Sequence, residues 1–202
     1  MPADSLFVPA EPKVFAPARL PGRTEWLGLV ADDGLRTAAA ERIVMTFEGP
    51  AGDRHAGFTR PAGSREPWYP RGSAMRNGRQ VTVVSAEDLE AIRLAMDLPR
   101  FEAAWIGTTI VVSGIARFSF LPAGTRLVFE GGAVLVVEGQ NAPCRYAGRE
   151  IAAEFPEREG LDLLFPKVAR RLRGVVASVE REGTIVPAAA LEAKLPEQWI
   201  YG

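Results

Sequence analysis

One cysteine, Cys144, and one histidine, His55, are all that 202 residues supply of the two side chains most used for redox and metal chemistry. A single cysteine excludes an intramolecular disulfide, and with one histidine it cannot complete a four-ligand zinc site. Net charge is also scarce: 24 basic residues against 25 acidic ones leave −1, so the molecule as a whole is no polyanion binder and any electrostatic argument must be regional. No apolar run approaches the roughly 18 residues of a membrane-spanning helix. Internal repeats and low-complexity tracts are missing too. The N-terminal "MPADSLFVPAEPKVFAPARLPG" lacks a basic region, and prolines at 2, 9, 12, 17 and 21 interrupt any apolar segment of a signal peptide. These absences lead to the expectation of a soluble, cytoplasmic protein with no membrane partner.

What is present is the material of a core. Hydrophobic residues make up 47% of the chain, a usage typical of folded domains. The reading is a Pro-rich N-terminal arm over 1–22 and one domain over 23–202. "TEWLGLVADDG" and "ERIVMTFEGPAGD" read as strands bounded by turn residues. "QVTVVSAEDLEAIRLAMDLP" changes from strand to helical spacing after Ser85, which with Asp88 three residues on predicts a capping box. "TTIVVSG", "ARFSFLPAG", "TRLVFEGG" and "AVLVVEG" predict four more short strands. Helices follow at "APCRYAGREIAAEFPE" and "LFPKVARRLRG", and "GVVASVEREGTIV" reads as a strand pair. The fold class expected is mainly β, a β-barrel with peripheral helices.

Two stretches concentrate chemistry. Residues 52–79 form a long polar loop with six arginines, Arg54, Arg60, Arg65, Arg71, Arg76 and Arg79, against Asp53 and Glu66. Arginine forks bind phosphate and carboxylate bidentately, so the cluster is either an anion site or a solvated surface. His55 is a base, an anion contact or a structural hydrogen-bonder, and Trp68 and Tyr69 either stack on a flat ring or anchor the loop. The second stretch is "QNAPCRYAGREIA". Pro143 suits a first helical turn capped by Asn141 or Ala142, which puts Cys144 inside that turn, where unpaired N–H groups and Arg145 favour a thiolate. Cys144, Ala147, Ile151 and Phe155 also fall on one apolar face, so an inert, core-filling cysteine is the competing reading.

The segments "GDRHAGFTR", "RQVTVVSAEDLEAI", "IGTTIVVSGI", "AVLVVEGQNAPC" and "LRGVVASVEREGTI", in this order, resemble the MOSC domain, named for the C-terminal domain of molybdenum cofactor sulfurase. The resemblance implies a β-barrel and an association with the molybdenum cofactor (molybdopterin), with Cys144 as sulfur carrier or molybdenum ligand. It implies that Arg54, Arg60, Arg71, Arg76 and Arg145 serve the cofactor phosphate, with His55 and Asn77 as further cofactor-binding residues. A sulfur donor or an acceptor molybdoenzyme is the implied partner, and pyridoxal phosphate binding travels with the family. A molybdenum-dependent reductase of N-hydroxylated compounds is a second enzymatic reading, with electrons from a partner because no flavin or nicotinamide fingerprint is evident. The rival from another class is a non-catalytic barrel that binds a phosphorylated ligand or RNA, although overall neutrality and the lack of a nucleic-acid motif argue against nucleic acid.

Overall fold

In the computed structural model the described residues are 12–30 and 34–199, so residues 1–11 of the expected arm lie outside them. Seven strands make the barrel: β1 (Ala18–Leu29), β2 (Val81–Ser85), β3 (Ile110–Ser113), β4 (Arg126–Phe129), β5 (Val134–Gln140), β6 (Val175–Arg181) and β7 (Ala190–Leu195). Their spatial order is β1-β7-β4-β5-β6-β2-β3, and β3 returns to β1, which closes the sheet. Closure removes the unpaired edges that an open sheet of this size would expose. Residues 18–22, read from sequence as arm, are the first half of β1 and pair along β7 from Ala18↔Leu195 to Gly22↔Leu191. Pro21 is tolerated because β1 meets β3 only from Arg23 onward, so that stretch is bonded on one side.

The interior is set by strand alternation. In β4, Leu127 and Phe129 are buried while Arg126 is exposed, and Leu27, Ile110, Leu135 and Val175 complete the filling from neighbouring strands. Each such side chain contributes about 1.5–3 kcal/mol on burial. β2 and β3 are the one parallel pair, with Val83 opposite Ile110, and a parallel pair needs a crossover. Helix α1 (Ala86–Ala95) supplies it, capped by the Ser85 hydroxyl, which accepts from the Asp88 N–H at 3.1 Å. The expected acidic partner of that cap does something else, described below.

Three sequence expectations are corrected. "ARFSFLPAG" is not a strand but a 3₁₀ turn at Phe118–Phe120: Arg117 enters it with φ of 54°, and Ser119 is as buried as Phe118, so the apolar–polar alternation was accidental. "GVVASVEREGTIV" does not fold on itself. β6 stays in the barrel, whereas Gly183–Ile185 pairs with Ile43–Thr46 in a separate three-stranded sheet. The long loop contains a two-stranded ribbon, Thr59–Pro61 against Ala74–Arg76.

A second apolar cluster lies outside the barrel under α1, α2 (Arg145–Ala152) and α3 (Leu161–Val168), built on Ile92, Trp105, Ile151, Phe155 and Phe165. Gly148 permits the closest approach within it, since a Cβ there would lie 2.4 Å from the Asp162 carbonyl oxygen. This cluster fixes α2, and α2 carries the cysteine at its entrance. Among the described residues no helix is long and apolar enough to cross a membrane.

Candidate functional site

The paired row Gln140↔Val175↔Val83↔Ile110 runs across four neighbouring strands, so the last residue of β5 and the first residues of β6 and β3 lie side by side. The chain segments that enter and leave there, together with the loop after Asp53, wall a cleft of about 480 Å³. Its lining includes Arg54, His55, Arg60, Arg65, Asn77, Arg79, Thr82, Thr109, Asn141, Cys144 and Arg173. Among the described lining residues five are arginines and none is a carboxylate, so a near-neutral protein has gathered positive charge in one concavity.

Cys144 is half-buried on this wall. It is the N-cap of α2, with φ −133° and ψ 159°, rather than a residue of the first turn, and its side chain makes no capping bond. The helix starts at Arg145, and the Cys144 carbonyl accepts the first helical bond from the Gly148 N–H at 3.2 Å. The apolar periodicity seen in the sequence is real for Ala147, Ile151 and Phe155, which are buried. Cys144 touches the edge of that cluster while also facing the cleft.

Arg173 sits deepest in charge terms. Its residue is 5% exposed, one guanidinium nitrogen (Nη2) donates to the carbonyl of Ile106, and the other, Nη1, has no partner among the described residues. Burial pulls its pKa down to about 10; the Cys144 side chain acts in the opposite direction, while Arg79 and Arg65 depress it further. Arg79, half-buried, is likewise lowered to about 10 by burial and by Arg65 and Arg60, and its Nη2 is held by Asn141 Oδ1 at 3.0 Å. Two guanidinium groups kept in such surroundings carry an unpaid electrostatic cost that an anion would relieve.

The position of Arg173 traces back to Gly174. With φ of 76°, and with a Cβ that would lie 2.0 Å from the Val83 carbonyl oxygen, only glycine fits there. Ser119 Oγ accepts the Gly174 N–H at 2.8 Å and donates to Asp88 Oδ2 at 2.6 Å, while the Ser119 N–H also reaches that oxygen at 3.2 Å. Asp88, expected to close a capping box, thus anchors the turn that delivers Arg173. Burial raises the Asp88 pKa despite the hydrogen bonds from Ser119.

His55 has a partner that sequence reasoning passed over. Its Nδ1 lies 2.9 Å from Asp53 Oδ1, which also accepts the His55 N–H at 2.8 Å, and Asp53 Oδ2 accepts the Val30 N–H at 2.8 Å. Burial of Asp53 works against ionisation, but these three hydrogen bonds outweigh it and hold the carboxyl below its usual range. Donation from Nδ1 leaves Nε2 as the acceptor nitrogen.

The other residues expected at the site divide. Arg54 and Arg60 line the cleft. Arg54 donates to the Gly34 carbonyl at 3.1 Å, and Arg60 pairs with Glu66 while its buried Nε stays unpartnered. Asn77 lines the cleft but spends its amide on the loop, donating to the carbonyls of His55 and Gly57 at 2.8 and 3.1 Å and accepting from the Arg79 N–H. Arg71 does not line it. Arg76 pairs with Glu138 at 2.5 Å in an adjoining depression beside Trp68 and Tyr69, so neither aromatic stacks in the Cys144 cleft. Arg145 pairs with Asp162 at 2.7 Å on the outside of α2. Arg173 and Asn141 were missed as contributors. Only the glycine after Arg173 hinted at a special backbone, and nothing local marked the arginine as buried.

The donor set speaks to the groups the sequence resemblance implied. Among the described residues no three of His, Cys, Asp and Glu converge as metal ligands, so a metal here could take one thiolate from the protein and would need its remaining ligands from a cofactor. That condition suits a dithiolene-bearing group. Pyridoxal phosphate fits poorly: the three lysines, Lys13, Lys167 and Lys194, all lie outside the cleft, so no amine is available for a Schiff base.

Comparison with known proteins places the whole arrangement. YuaD of Bacillus subtilis strain 168, named for metal-sulfur cluster biosynthesis, is 34% identical over 174 residues, spanning 86% of this chain and 91% of that protein. Its crystal structure superposes with a TM-score of 0.87, 33% identity and coverage of 89% of this chain and 98% of that one. YiiM from Geobacillus stearothermophilus, at 14% identity and a TM-score of 0.55 over 89% of this chain and 75% of that one, shares the fold. The MOSC domain model matches residues 70–192, from the ribbon through β7 and including Cys144 and Arg173. The chain belongs to the MOSC domain family.

Proposed function

We propose that the cleft binds the molybdenum cofactor and that Cys144 works there as a sulfur carrier or as a metal-facing thiolate. The observation that carries this reading is the meeting, in one cleft, of the only thiol with a buried guanidinium whose Nη1 lacks a partner among the described residues. A volume of about 480 Å³ lies within the range of small-ligand sites. Arg54, Arg60 and Arg65 would hold a phosphate arm, His55 would be a polar contact for the ring system, and Cys144 would supply a thiolate to the metal. When bound, the cofactor supplies a thiophilic metal and most of that metal's ligands.

The chain's own part in sulfur handling follows from thiol chemistry. The Cys144 thiolate attacks the outer sulfur of a donor containing an S–S bond; a new S–S bond forms, the donor's bond breaks, and its electron pair leaves with the donor remainder. Cys144 then holds one extra sulfur as a persulfide. The half-buried setting limits loss of that sulfur to water, while the cleft mouth admits donor and acceptor.

The test is purification from a host that makes the cofactor, with molybdenum measured by elemental mass spectrometry and pterin by fluorescence after oxidation. Wild type is expected to carry both, and Cys144→Ser to lose metal or bound sulfur while retaining pterin. Absence of both from wild type, after reconstitution as well, would refute cofactor binding.

A further inference from the structure

We propose that the Arg79–Arg173 end of the cleft is an oxyanion seat and that the sulfur donor it receives is of the thiosulfate class, a transferable sulfur attached to an anionic sulfur–oxygen head. The inference rests on the reading of Cys144 as a sulfur-accepting thiol and names its substrate.

The seat is built from two separate segments of the chain. Asn141 holds Arg79 by one nitrogen, and the Ile106 carbonyl holds Arg173 by Nη2, so both forks are fixed before any ligand arrives. Among the described residues Arg173 Nη1 is a donor without an acceptor at 5% residue exposure, and the cleft lining has five arginines and no carboxylate. A buried donor of this kind costs free energy unless an acceptor visits it. Compact oxyanions present several acceptor oxygens to such forks. The thiol on the same wall selects among them: sulfate and phosphate have nothing for a thiolate to attack, whereas thiosulfate offers its outer sulfur.

The step balances without an external oxidant or reductant. The thiol proton passes to water at the cleft mouth, the Cys144 thiolate forms an S–S bond to the outer sulfur, and the S–S bond of thiosulfate breaks with its electron pair, releasing sulfite. Negative charge collects on the departing sulfite, where Arg79 and Arg173 lie, so their stabilisation grows as the bond breaks. A nucleophilic acceptor then removes the outer sulfur and restores the thiolate; with cyanide as the artificial acceptor the product is thiocyanate.

The experiment exposes purified protein to thiosulfate or, separately, to an organic hydropersulfide, which has no sulfur–oxygen head, then measures sulfur on Cys144 by intact mass and turnover by thiocyanate formation. Wild type is expected to load from both donors, with sulfate and phosphate competing only against thiosulfate. Arg173→Met and Arg79→Met should each slow loading from thiosulfate by about 100-fold, the typical effect of losing one oxyanion donor, while loading from the hydropersulfide changes by less than about threefold. That second donor also reports whether each variant is folded. Arg126→Ala, which removes an exposed pair with Glu180 away from the cleft, should match wild type with both. Loading by hydropersulfide but not by thiosulfate, or equal thiosulfate rates in wild type and both arginine variants, would overturn the oxyanion seat and leave the carrier role standing. Failure of wild type with every donor would overturn the carrier role itself.

Discussion

Replacing Arg173 with methionine should make the protein more stable while removing its affinity for anions. Burial lowers the guanidinium to about 10, somewhat over two powers of ten in acidity from its value in water. At about 1.4 kcal/mol per tenfold change, keeping the charge in the folded state costs about 3 kcal/mol. The folded pKa lies below the unfolded one, so the penalty is absent in alkali above the unfolded value, grows as pH falls to about 10, and is complete at neutrality. Against this stands the bond from Nη2 to the Ile106 carbonyl, whose loss costs about 1–2 kcal/mol. Arg173→Met should therefore gain about 1–2 kcal/mol at pH 7 in urea unfolding followed by tryptophan fluorescence, with buried Trp105 as one reporter. In matched-ionic-strength titrations, sulfate should stabilise wild type beyond its effect on the variant. A loss of more than about 2 kcal/mol in the variant would refute the reasoning, because it would make Arg173 a structural tie rather than a charge held for a ligand.

Other substitutions test the scaffold behind the cleft. Gly174→Ala should cost about 3 kcal/mol or more in the same assay, since its Cβ would lie 2.0 Å from the Val83 carbonyl oxygen at a backbone angle that disfavours side chains. Ser119→Ala strands the Gly174 N–H and one bond of Asp88, and is expected to lose about 2–3 kcal/mol together with thiosulfate-dependent loading. Asp53→Asn should lose about 1–3 kcal/mol at pH 7. Because the Asp53 pKa is lowered on folding, its contribution is present above about pH 4 and fades as pH falls through the depressed value; denaturation curves should show the gap between wild type and variant closing in that acid window. Arg145→Ala, removing an exposed pair with Asp162, should change stability by less than about 1 kcal/mol.

Local pattern and tertiary placement contributed unequally. The β-rich character, the Ser85 cap, the helix after Cys144 and the arginine-dense loop were legible because period, turn residues and capping chemistry act over a few residues. The turn at Phe118–Phe120 was not, since Ser119 is buried for the sake of partners 31 and 55 residues away. The six loop arginines looked alike in sequence and separate in space: Arg54, Arg60, Arg65 and Arg79 face the cleft, whereas Arg76 is neutralised by Glu138 and Arg71 stays outside.

The sequence by itself determined that one thiol would begin a helix, that positive charge would concentrate between residues 52 and 79, and that the chain would fold as a strand-rich MOSC domain. Only the tertiary structure decided which charges meet the thiol. Pairing of β5 with β6 and of β6 with β2 brings Asn141, Cys144 and Arg173 beside Arg79, and burial there makes an ordinary arginine into a costly donor without a partner among the described residues. Desolvation depends on everything packed around a group, so no window of sequence around Arg173 could have revealed it.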